Sequence, residues 1–75
     1  MNRRKAIVTS EVRRLGGVVT IAAGRDPVTS EPFFHVDHVS NGGNVAFRSR
    51  RIPDEDRAIQ AAQVLAEFTG AMVKL

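Results

Sequence analysis

A chain of 75 residues makes one domain, and no linker or repeat divides it. It has no cysteine, which excludes disulfides and thiolate chemistry and suits a reducing compartment. No apolar run approaches the length of a membrane span, and the net charge is +3, so we expect a soluble, cytoplasmic protein with no membrane partner.

The charge comes from nine arginines and two lysines against eight acids. Arginine is the side chain of phosphate recognition, though a GC-rich genome gives the same bias. A chain this short buries only about 60% of its unfolded surface, so a homodimer is one way to enlarge the core.

Met1–Lys5 reads as a flexible basic arm led by Arg3 and Arg4. Ile7, Val8 and Thr9 favour a short strand. Ser10–Gly17 instead reads as one or two helical turns with Val8, Val12 and Leu15 on one face. Val18–Ala23 is expected as a strand ended by Gly24. Asp26-Pro27 and Glu31-Pro32 bracket a polar loop. Phe33–Val39 is the next strand. The turn Asn41-Gly42-Gly43-Asn44 then returns the chain through Val45–Arg51.

With Gly42-Gly43 at the turn centre, Asp37 faces Arg48, His35 faces Arg50 and Phe33 faces Ile52 on one side. Phe34, Val36, Val45 and Phe47 line the other side, which is expected to receive the helix. The Asp37–Arg48 pair supports this register.

Asp54 is the expected N-cap of a helix over 54–69, because a short carboxylate accepts from the free amides of the first turn. Glu55 and Asp56 suit the positive end of the helix dipole. Gly70 is the expected C-terminal stop. Ala58, Ala62 and Leu65 are expected to pack on Val19 and Ile21. The apolar arc spans roughly 220°, wider than one sheet requires. Half of that arc is either solvated or an interface around Ile59, Val64, Phe68 and Met72. Ala71–Leu75 closes as a short terminal strand. The expected fold is therefore α+β: a three- to four-stranded antiparallel sheet with one main C-terminal helix on one face.

Chemistry-bearing patterns are sparse. His35 and Asp37 share a strand face while His38 points the other way, so a metal would need ligands the chain lacks. The paired glycines lack the spacing of a phosphate loop. No nucleophile elbow is present. We therefore expect no enzyme, no metal and no cofactor.

Two binding readings stand side by side. In the first, Arg48, Arg50, Arg51, His35, Arg3 and Arg4 engage nucleic acid. In the second, the leftover apolar surface makes a protein-interaction or inhibitor module, a homodimer.

From Gly17 the order strand–strand–strand–helix resembles the core of double-stranded-RNA-binding domains. Those carry a Lys-Lys-x-Ala-Lys cluster where this chain has Asp54-Glu55-Asp56, so their activity is not implied. Val45-Ala46-Phe47 before a helix and a last strand resembles the RNA-recognition motif, without its glycine-flanked aromatics. In size and outline the chain is similar to phage and mobile-element inhibitors, anti-CRISPR proteins among them.

Overall fold

The computed structural model describes residues 15–75. The expectations for the basic arm, for Arg3 and Arg4 and for residues 6–14 lie outside that range. Four strands and one helix follow in order: β1 (Val18–Arg25), β2 (Pro32–Val39), β3 (Ala46–Arg48), α1 (Glu55–Thr69) and β4 (Met72–Lys74). They form a small α+β domain with sheet order β3-β2-β1-β4. The sheet is mostly antiparallel, but β4 runs parallel to β1, because the helix carries the chain across one sheet face before it pairs again.

The helix begins and ends where the sequence marks it. Asp54 is extended and accepts from the Asp56 amide at 3.3 Å. Gly70 takes the left-handed conformation at φ 73°, and its N–H bonds back to the Ala66 carbonyl. Ala58 and Ala62 are fully buried against Val19 and Val36, so the small side chains bring the helix axis close to the sheet. Ile21, Phe34, Ile52, Leu65 and Val73 complete the core from its margins.

The hairpin register follows the turn. Asp37 pairs with Arg48 and His38 with Phe47. It then departs from the simple ladder. Ser49 bonds to Val36, but Ile52 pairs with Phe34 rather than Phe33. Arg50 and Arg51 thus stand together opposite His35, a bulge of one extra residue. Ile52 is turned onto the helix side, where it packs on the core. Arg51 is released to the open side. The regular register would have placed apolar Ile52 in solvent, so burial decides for the bulge.

Two further expectations need correction. Gly24 does not end β1, which runs on to Arg25. Gly24 instead makes room for the cross-strand Phe33 ring, which occupies the space a β-carbon would take. Val45 and Phe47 are on the helix side but are not covered, with Phe47 51% exposed. The helix lies over β2, β1 and β4, and β3 projects beyond it.

Three buried polar side chains knit one end of the molecule. His38 Nε2 lies 2.8 Å from the Gly16 carbonyl. Ser40 Oγ accepts from the Val45 amide at 2.9 Å, and Thr69 Oγ1 donates to the Leu65 carbonyl at 2.8 Å. His38 is therefore a fully buried anchor for residues 15–17 rather than a half-buried ring.

Candidate interaction surface

The strand registers arrange the open sheet face in rows. Ala46, Val39, Val18 and Met72 are cross-strand neighbours and form one apolar row over all four strands. Val39, Val18 and Met72 are exposed, Met72 at 75%. The next row is Arg48, Asp37, Thr20 and Lys74. Beyond it stand His35 with the two bulge arginines, and then Phe33 over Gly24.

Two of the three arginines on this face, Arg48 and Arg51, are held by carboxylates. Arg48 donates through Nε and Nη2 to both carboxylate oxygens of Asp37, each at 2.8 Å. This fork-to-fork pair holds the Asp37 carboxyl below the ordinary 3.8 and raises Arg48. Arg51 lies with its guanidinium carbon 4.1 Å from the Phe33 ring centre and bonds to Asp26 at 3.0 Å. Asp26 is also the acceptor of a tight loop, bonded by the Val28 and Thr29 amides. Those amides, ahead of Arg51, hold its carboxyl below the usual range. His35 Nδ1 meets the Ser49 carbonyl at 2.8 Å. Arg50, carried out by the bulge, has no ion-pair partner among the described residues.

The Asp37 pair gives a signed pH dependence. A carboxyl whose folded value is depressed contributes stability above its unfolded value, and that contribution disappears as pH falls through the folded value. Thermal melts taken from about pH 6 down to pH 2 are therefore expected to fall less steeply for Asp37→Asn than for the wild type. Parallel curves would show that the pair carries no folded-state advantage.

The residues expected to share an interface do not form one patch. Ile59 is half-buried and lines a cleft of about 290 Å³ with Ile21, Phe34 and Leu75, on the β4 side of the helix. Phe68, nine residues on and so about 180° round the helix, projects from the opposite flank. Val64 shares that flank, and both are exposed. Met72 is on the far face of the sheet.

A different grouping emerges at β3. Val45 and Phe47 project on the helix side uncovered, and α1 carries Val64 and Phe68 on the flank turned away from Ile59 and the β4 side. Ala46 projects on the open side, at the head of the apolar row. Exposed apolar side chains thus stand on both faces of β3 and on one flank of α1. The hairpin periodicity places Val45 and Phe47 on the helix side; that the helix stops short of them is a property of the packing alone.

Charge is divided along the chain. Residues 15–75 hold six cations against seven acids, a net −1. Residues 1–14 hold five cations and Glu11, a net +4. No family model, no curated protein and no solved structure matches this chain. No helix among the described residues is long and apolar enough to cross a membrane.

Proposed function

We propose that this chain is a non-enzymatic binding module whose ligand is a protein surface, engaged through the apolar band around β3. The observation that carries this reading is the grouping of the exposed apolar side chains. Val45 and Phe47 are exposed on the helix side of β3, Val64 and Phe68 on the flank of α1 turned away from β4, and Val39, Val18 and Met72 continue from Ala46 on the open side. Scattered apolar residues are ordinary on a protein surface, whereas an apolar grouping rimmed by ion pairs is the composition of an interface. The engagement of Arg48 and Arg51 by acids, and the net −1 of residues 15–75, weaken the alternative of a phosphate-binding sheet face.

The test is site-specific photo-crosslinking in cells that produce the protein. A photoreactive residue at position 47 or 64 is expected to give discrete protein adducts that form even at about 1 M salt, where exposed charge contacts are screened. The same group at Val28, an exposed apolar residue of the distant β1–β2 loop, is the control for indiscriminate contact. Equal labelling from all three positions, or no protein adduct at 47 and 64, would overturn the reading.

A second reading is favoured by the +4 concentrated in residues 1–14. If those cations bind nucleic acid, affinity falls roughly 100- to 1,000-fold between about 50 and 200 mM salt. Arg3→Ala with Arg4→Ala then weakens binding and flattens that slope. Salt-independent binding, or an unchanged slope in the double variant, rejects it.

A further inference from the structure

The backbone of β3 says what kind of partner its edge accepts. In an antiparallel ladder, residues that exchange hydrogen bonds with the partner strand alternate with residues that do not. Ser40 bonds to Val45, and Ser49 bonds to Val36. His38 and Phe47 are therefore the bonded pair between them. Ala46 and Arg48 are the non-bonded positions, so their N–H and C=O groups point away from β2. As β3 is the last strand on its side of the sheet, these groups face outward without a strand partner among the described residues. Outward N–H and C=O groups of this kind are a template that another extended strand can pair with.

We infer that β3 pairs antiparallel with β3 of a second copy of this chain, making one continuous eight-stranded sheet across a twofold axis. This inference rests on the reading of the β3 band as a protein-binding surface and names its partner.

The register follows from the outward groups. Ala46 of one copy exchanges hydrogen bonds with Arg48 of the other, and the axis passes beside Phe47. Phe47 then meets its own counterpart across a non-bonded pair, where side chains are closest. Both helices lie on the same side of the joined sheet. The flanks that carry Val64 and Phe68 face each other across the valley that holds the two Phe47 rings. The phenylalanines, each about half-exposed in one copy, become a shared aromatic cluster.

The remaining pairs across the axis are Val45 with Ser49 and Asn44 with Arg50, so no like charges stand opposite each other. Arg48 faces Ala46 and keeps its carboxylate, Asp37, in its own sheet. The bulge at Arg50 limits the pairing to a few residues. The backbone bonds are thus too few to hold a dimer alone, and the aromatic cluster supplies what they lack. A surface that meets itself about a twofold axis is the commonest route to a closed oligomer.

Two substitutions separate the parts. Phe47→Glu disturbs little in the single copy, where the side chain is half-exposed, but sets two carboxylates against each other at the axis. Ala46→Pro removes an outward N–H that β2 does not use, a change edge strands tolerate. Sedimentation equilibrium of the full chain from about 10 μM to 1 mM is expected to show a wild-type dimer that persists in about 1 M salt. Phe47→Glu is expected to weaken it about 100-fold or more, and Ala46→Pro about tenfold or more, each with a cooperative melt retained. Val28→Glu is expected to leave it unchanged. A wild type that is monomeric at 1 mM, or a dimer equally stable in Phe47→Glu, would overturn the inference. If position 47 still crosslinks to other proteins in that event, the protein-binding reading survives without the dimer. If neither association nor protein adducts occur, both fail.

Discussion

Replacing Gly17 with alanine is expected to unfold the domain, or at the least to lower its melting temperature by about 12 °C or more. Two penalties act together at this position. Gly17 has φ of +87°, in a region that costs an L-residue about 1–2 kcal/mol. A β-carbon there would also stand 1.9 Å from the Val39 carbonyl oxygen and 2.7 Å from the Ser40 α-carbon. Both obstacles are backbone, so no rotamer change relieves the clash.

Nor is either obstacle free to retreat. Val39 pairs with Val18 and Ala46 on its two sides. Ser40 is bonded to Val45 through its amide and its hydroxyl. Gly17 itself accepts from the Met72 amide at 2.9 Å, so displacing it pulls on the first residue of β4. We expect a loss of about 3 kcal/mol or more, against a total margin of about 5 kcal/mol for a domain this small. Chemical denaturation of Gly17→Ala beside the wild type measures it. A midpoint within a few degrees or a few tenths molar of wild type would mean that residues 15–17 are not fixed against Val39 and Ser40.

The same end of the molecule shows how far the sequence could be read. Turn chemistry and the Asp37–Arg48 pair fix the β2–β3 register, because both constrain it over a short span. Helix α1 is legible at both ends because Asp54 and Gly70 each solve a backbone problem that few residues solve. The bulge is harder to see. Ser49, Arg50 and Arg51 are all polar, so period-two alternation does not change when one of them is skipped. The signal was Ile52: a strict ladder strands it opposite Phe33 on the open face, whereas one extra residue brings it to Phe34 and the core.

The surface was legible only in part. Strand alternation puts His35, Asp37, Arg48 and Met72 on the open face, as it must. It does not say that Arg51 of a basic-looking patch finds a carboxylate, since Asp26 meets it only through the loop between β1 and β2. It also does not say how many strands one helix covers. A helix is about 10 Å wide and strands are about 4.8 Å apart, so one helix shields two or three strands of four. Which edge is left bare depends on where the crossover lands. Here β4 joins beside β1, the helix sits over β2, β1 and β4, and β3 is left projecting with Phe47. The division of charge, by contrast, could be read by counting: the basic surplus is in residues 1–14.

Ala62→Leu is expected to cost about 3 kcal/mol, the upper end of the usual range for overpacking a core. Ala62 has no exposed surface, and opposite it lie Val19 and Val36, the largest fully buried side chains. Both are β-branched, with χ1 restricted, so neither turns aside readily for three extra carbons. The other relief is for the helix to lift or slide, and its two ends resist. At the start, the chain enters from Ile52, which exchanges both backbone hydrogen bonds with Phe34 at 2.8 Å. At the finish, the Thr69 carbonyl accepts from the Gly16 amide at 2.8 Å, and Gly70 turns the chain into β4 within two residues. A helix tied to the sheet at both ends takes up the added volume as strain or loosened packing along its length. The expected fall in melting temperature is about 12–24 °C. Val64→Leu, on the exposed flank of the same helix, adds one carbon without entering the core and is expected to stay within about 0.5 kcal/mol of wild type. The contrast between the two substitutions, on helix propensities that differ little, isolates the close seat of α1 on the sheet. A wild-type-like melt for Ala62→Leu would place the helix farther from Val19 and Val36 than its alanines require.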